Sequence, residues 1–220
     1  MTNAEPVVTA GRALRYVALG DSYTIGTSVE AADRWPDQLI AALARRGGVA
    51  GREGSAAALD LVANLAVNGF TSRNVIDVEL PQLAALRPEF ITLLIGVNDL
   101  VQGVPSAAYR ANVAAILDDL VGRVGSDRVV AVTTPDYTVT PAGADYGDPS
   151  RRAAGIRTNN AILTELAIAR GIAVADIHDL SLRAATDPSL VASDGLHPSG
   201  LQYALWVERI LPAVEGLAAP

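Results

Sequence analysis

Five short and nearly continuous apolar runs recur along the chain, at residues 15–20, 60–66, 90–95, 129–134 and 172–177. Runs of this length, bounded by turn-forming residues and lacking strict alternation, are the pattern of strands buried on both faces. Between them lie longer segments rich in Ala, Leu and Arg, at residues 35–46, 72–86, 106–124 and 151–170, whose apolar positions recur with helical spacing. A last helix is predicted after Pro198, where Leu201, Leu205, Val207, Ile210 and Leu211 make a broad apolar face and Ser199 is a candidate N-cap. Strands and helices alternating in this way predict an α/β fold, a parallel sheet covered by helices on both sides. In such folds ligands bind beyond the carboxyl ends of the strands, so the segments leaving those ends are where chemistry is sought. Two irregular stretches break the alternation. Residues 47–55 read as a plain connection, whereas residues 135–149, rich in Pro, Gly, Asp and Thr, leave the carboxyl end of the fourth run, where a long loop serves equally well as a site wall or as mobile surface.

Composition narrows this picture. The 220 residues suit one domain over 1–220, with a core at about 15–215. Half of them are hydrophobic and only 19% are charged, which excludes disorder driven by charge. With 17 basic and 24 acidic residues the net charge is −7, so affinity built on phosphate neutralisation, and with it a nucleic-acid partner, is not expected. There is no Cys, which removes disulfides, thiolate metal sites and Cys nucleophiles. There is no Lys either; all 17 basic residues are Arg, which removes a P-loop lysine, a Schiff-base lysine and a lysine base. The two histidines, His178 and His197, are too few for a His-rich metal site, although carboxylate-bound Mg²⁺ or Ca²⁺ stays open. A catalytic base working near neutral pH would be one of those two rings. The N-terminal residues lack a basic segment followed by an apolar one, and no apolar run reaches the roughly 18 residues of a bilayer span, so a protein without a membrane span is expected, cytoplasmic by default, with a mature secreted form as the alternative.

The candidate chemistry sits where the predicted strands end. Gly20-Asp21-Ser22-Tyr23 follows the first run directly, Asn68-Gly69 follows the second, and Gly96-Val97-Asn98-Asp99 follows the third. Each has an ordinary explanation as a turn or helix cap, Asp99 as a cap for the helix beginning a few residues later. All three nevertheless lie at one edge of a parallel sheet, where the N–H groups of Ser22 and Gly69 and the side-chain amide of Asn98 are able to converge as an oxyanion hole. Asp194-Gly195-Leu196-His197-Pro198 precedes the last helix; Asp and His three positions apart in a turn bring a carboxylate against Nδ1–H and leave Nε2 free to accept a proton from a Ser hydroxyl. His178, flanked by Asp176 and Asp179 after the fifth run, is the lower-ranked rival base, with no turn and helix start to fix its geometry. Position 24 is Thr, so the strict Gly-x-Ser-x-Gly elbow of ordinary α/β-hydrolases is absent.

Taken together and in order, Gly-Asp-Ser near the N-terminus, Gly69 after the second run, Gly-x-Asn-Asp after the third and Asp-x-x-His near the C-terminus resemble the four blocks of the SGNH (GDSL) hydrolase family, over Tyr16 to about Trp206. The resemblance implies a flavodoxin-like three-layer α/β/α sandwich on a five-stranded parallel sheet. It also implies Ser22 as nucleophile, His197 as base, Asp194 as its orienting partner, and Ser22, Gly69 and Asn98 as oxyanion donors. Tyr23 stands where the eponymous block has Leu, a familiar variant, and Asn68-Gly69-Phe70-Thr71 is a loose version of the second block. The implied activity is metal-free and cofactor-free serine ester hydrolysis acting on a small-molecule ester. Acyl transfer to an alcohol, sugar or thiol would use the same acyl-enzyme; a noncatalytic ligand-binding module and a flavin-binding protein are the readings from other classes. With aromatics at 5% and no long apolar lid helix, short-chain esters are favoured over polysaccharide or lipid-interface substrates. Asp21 is expected to hold the nucleophile turn, and Trp35 and Pro36 to pack in the core in preference to flooring the acyl pocket. Tyr137 and Tyr146 are left as loop tyrosines.

Overall fold

The computed structural model describes residues 12–47 and 58–215; the connection at 47–55 therefore lies almost wholly outside the described residues. The chain runs β1 (Leu14–Gly20), α1 (Ser22–Ile25), α2 (Trp35–Gly47), β2 (Leu59–Asn64), α3 (Ser72–Asn74), α4 (Leu83–Leu86), β3 (Phe90–Leu94), α5 (Val97–Val101), α6 (Ser106–Val124), β4 (Val129–Val132), α7 (Pro149–Ile168), β5 (Ala173–Ala175), α8 (His178–Ser181) and α9 (Gly200–Glu215), with short 3₁₀ turns between them. The five strands form one sheet in the order β2-β1-β3-β4-β5. Every pairing is parallel, with Tyr16 opposite Phe90 and Gly20 opposite Leu94 at the centre. This is the flavodoxin-like order, whose switch point lies between β1 and β3.

Alternation along the strands splits the core in two. Leu14, Tyr16 and Ala18 face one side, where Trp35 and Leu39 of α2 and Tyr203, Trp206 and Ile210 of α9 cover the sheet. Val17 and Leu19 face the other, against Val113, Ile116 and Leu120 of α6 and Leu163 and Ala167 of α7. β1, β3 and β4 are buried on both faces, as their unbroken hydrophobicity predicts, while the edge strand β2 is half-exposed beyond Leu59. Trp35 is fully buried, as expected of a core residue.

β1 ends where its apolar run ends, but the other four strands stop short of theirs at the carboxyl end, and after β4 side chains take over the hydrogen bonds. Thr134 donates its N–H and hydroxyl to Asn160 Oδ1 in α7, both at 2.8 Å, which draws the chain off the sheet two residues after β4. The helix expected at 72–86 forms over those residues but not as a uniform α-helix. Pro81 has no N–H to donate and its ring crowds the carbonyl of the preceding turn, so the segment widens into a π turn at Val75–Glu79, tightens into a 3₁₀ turn at Leu80–Gln82 and resumes as α4. α7 begins two residues before the expected start, with Asp148 as N-cap accepting from Arg151 N at 2.8 Å and Pro149 in the first turn. Among the described residues no helix is long and apolar enough to cross a membrane.

Candidate active site

The backbone conformation at Gly20 sets the position of Ser22. β1 ends at Gly20, whose φ of +149° and tight surroundings both demand glycine: a Cβ there would collide with the Leu94 carbonyl and lie 2.7 Å from Thr24 Oγ1. The chain therefore turns directly beside the end of β3. Asp21 caps α1, its Oδ1 accepting from Tyr23 N at 3.0 Å, which makes Ser22 the first residue of that helix. Gly96 plays the corresponding part after β3 with φ +135°, where a Cβ would sit 2.7 Å from the Tyr109 hydroxyl, and it places Asn98 in α5.

Three buried carboxyl groups tie these turns together from beneath. Glu79, delivered by the π turn, accepts the Gly20 N–H at 3.0 Å. Asp21 Oδ2 lies 3.4 Å from Asn98 Nδ2, which also donates to the Phe70 carbonyl at 3.0 Å. Asp99 accepts from Ser72 N at 2.8 Å and from Ser72 Oγ at 2.5 Å, anchoring the segment after Gly69 to α5. Asp99 thus lies inside a short helix and binds a residue 27 positions away, rather than capping the next helix as its position suggested. Burial pushes all three carboxyls above the ordinary range, Asp21 up to about 7 and Glu79 up to about 9. The Tyr23 N–H opposes the shift at Asp21 and the Gly20 N–H opposes it at Glu79, while the nearby Asp99 and Asp21 charges respectively add to it.

Asp194 and His197 occupy one turn. Asp194 Oδ1 accepts the N–H groups of Leu196 and His197, both at 2.9 Å, and Oδ2 lies 2.6 Å from His197 Nδ1. The turn is pinned to its surroundings by Ala192 N to the His197 carbonyl at 2.7 Å and Ser199 N to the Leu190 carbonyl at 2.8 Å. Partial burial acts to raise the Asp194 carboxyl, but hydrogen bonds from Ser28, Leu196 and His197 outweigh it and hold the group well below the usual carboxylate range. A proton on Nδ1, bonded to this carboxylate, leaves Nε2 as an acceptor.

Ser22, Gly69, Asn98 and His197 line one cleft of about 240 Å³ at the carboxyl edge of the sheet. Asp194 stands behind His197 through the Nδ1 contact. The rest of the wall is Tyr23, Asn68, Val97, Val101, Tyr137, Tyr146 and Leu196. Tyr137 and Tyr146 pack edge-to-face at 5.9 Å and come from the 135–149 loop, which is a cleft wall. Neither tyrosine was distinguishable in the sequence from ordinary loop tyrosines. With Tyr23 they place three aromatic rings at the cleft in a chain that is only 5% aromatic. His178 lies in a separate recess with Thr133, Arg157, Asn160 and Asp176, its Nε2 buried and 3.7 Å from Asp136 Oδ2.

The model of the GDSL-like lipase/acylhydrolase family matches residues 18–205. The chain belongs to this family. Its members are carboxylic ester hydrolases, and the match spans all four motif segments. No curated protein matches the sequence significantly. Among solved structures, the fold is similar to a lipase/acylhydrolase from Enterococcus faecalis, with 22% identity, TM-score 0.69 and coverage of 92% of this chain and 96% of that one. It is also similar to a lipolytic protein of the G-D-S-L family from Veillonella parvula DSM 2008, at 19% identity, TM-score 0.71 and coverage of 93% and 100%. An acetylxylan esterase from Geobacillus stearothermophilus matches at 16% identity and TM-score 0.68, covering 94% and 96%. These similarities bear out the three-layer α/β/α sandwich, the five-stranded flavodoxin-like parallel sheet and the membership of the GDSL hydrolases.

Proposed function

We propose that this member of the family is a serine hydrolase of small, short-chain acyl esters. Ser22 Oγ attacks the acyl carbon while His197 Nε2 takes its proton, and Asp194 holds the ring through Nδ1. The tetrahedral oxyanion is received by the N–H groups of Ser22 and Gly69 and the amide of Asn98, whose long 3.4 Å contact to Asp21 is readily exchanged for the oxyanion. Collapse breaks the ester C–O bond, His197 returns the proton to the leaving alkoxide, and water attacks the acyl-enzyme by the reverse sequence. The observation that carries the reading is the convergence of Ser22, Gly69, Asn98 and His197 on one cleft, with Asp194 Oδ2 2.6 Å from His197 Nδ1. The small volume and mainly apolar wall of Val97, Val101, Leu196 and the tyrosines favour short neutral acyl groups.

Hydrolysis of a chromogenic ester series, from two-carbon to long-chain acyl groups, tests this. Ser22→Ala is expected to lower kcat by roughly 10⁴-fold or more and His197→Ala comparably, while His178→Ala keeps wild-type turnover. Activity surviving Ser22→Ala would overturn the assignment.

A further inference from the structure

The loop that follows α1 lies outside the four motif segments, yet it holds three of them. It hangs from the nucleophile residue itself: the N–H groups of Gly26 and Thr27 both donate to the Ser22 carbonyl at 3.1 Å. From there Thr27 Oγ1 donates to Asn68 Oδ1 at 2.5 Å, gripping the residue next to Gly69. Ser28 Oγ donates to Asp194 Oδ2 at 2.7 Å, the same oxygen that meets His197 Nδ1. Ser28 achieves this in a left-handed backbone conformation, φ 66°, which it shares with only Arg87 among the described non-glycine residues. A serine gains nothing locally from that conformation, and unfavourable backbone angles of this kind persist where the surroundings enforce them.

We infer that the loop at 26–28 is a clamp on the reacting groups, in which Ser28 is a positioning residue that orients Asp194 and, through it, His197. The inference rests on the triad proposed above. Asp194 Oδ1 is already occupied by two backbone N–H groups. Its remaining oxygen is directed by His197 on one side and Ser28 on the other, so the hydroxyl fixes the rotation of the carboxylate against the ring. As a donor it also shares in holding the Asp194 carboxyl well below the usual carboxylate range. The other titratable groups facing this pair are Tyr23 of α1 and Tyr203 of α9, both fully buried and kept uncharged through the neutral range, with Asp21 behind them.

The test compares Ser28→Ala, which removes the hydroxyl and keeps the backbone strain, with Ser28→Gly, which removes both. Both variants are expected to lose about three- to tenfold in kcat with KM little changed. Ser28→Gly is expected to melt at or above the wild-type temperature, so its loss of turnover is not a loss of fold. Wild-type kcat in Ser28→Gly would overturn the inference, as would a loss confined to Ser28→Ala. Ser22→Ala measured alongside keeps the two readings apart: activity surviving in it defeats the nucleophile assignment itself, whereas its abolition with an unaffected Ser28→Gly defeats only the clamp.

Discussion

Asn98 is held in two directions by one amide group, toward the Phe70 carbonyl at 3.0 Å and more loosely toward Asp21 at 3.4 Å. The short bond fixes the side chain; in the proposed mechanism the long one leaves an N–H to follow charge as it develops on a substrate oxygen. Asn98→Ala is therefore expected to lower kcat by about 10²–10³-fold with KM nearly unchanged, the signature of a donor used chiefly in the transition state. Steady-state kinetics on a short-chain ester checks it, and a variant as active as wild type would remove Asn98 from the oxyanion hole. At this scale the sequence is informative where a residue's partners are near in the chain. Asp194 and His197 are three positions apart, and the Asp21 Oδ1 cap accepts from Tyr23 two positions on, so these contacts are legible from spacing. The bonds from Ser28 to Asp194 and from Asp99 to Ser72 cross 166 and 27 positions, and neither residue differs in type from an ordinary loop serine or capping aspartate.

The connection from β4 to α7 shows what an element adds to those residues. Its tyrosines are unequal: Tyr137 is 2% exposed and Tyr146 40% exposed, so the first belongs to the wall and the second to the rim. Tyr146→Ala is expected to leave the melting temperature almost unchanged and to open the cleft, raising kcat/KM for the next longer acyl group by about fourfold, from ~0.8 kcal/mol per methylene newly accommodated. The ester series reads this as a shift of the acyl-length optimum, and an unchanged optimum would place Tyr146 outside the acyl-binding wall. The loop's length and its place after a parallel strand made it a candidate wall in the sequence, but which tyrosine faces the cleft depends on two 3₁₀ turns that no periodicity announces. The same limit applies at 72–86. Its helical spacing is real, but Pro81 forbids a continuous α-helix, and the π turn that precedes it is what carries Glu79 inward to Gly20.

The whole molecule buries Asp21, Glu79 and Asp99 beneath the turns that end β1 and β3, and that has a consequence for stability. Burial raises Glu79 from 4.5 to about 9, so the folded protein keeps this proton at pH values where the unfolded chain has lost it. Unfolding then releases a proton, and stability falls as pH rises through that window. Asp21 acts in the same direction between 3.8 and about 7. Asp194 acts oppositely, because its depressed carboxyl contributes stability above the ordinary carboxylate range that is lost only in strong acid. From neutral to alkaline pH the buried acids decide the slope, each contributing at most about 1.4 kcal/mol per pH unit. Glu79→Gln keeps an acceptor for the Gly20 N–H and carries no titratable proton. Its unfolding free energy, measured in urea between about pH 6 and pH 9, is expected to fall less steeply than wild type and to overtake it toward the alkaline end. Parallel profiles for the two proteins would mean that Glu79 is ionised in the folded state, and that the turn at Gly20 rests on a buried carboxylate rather than on a neutral acid.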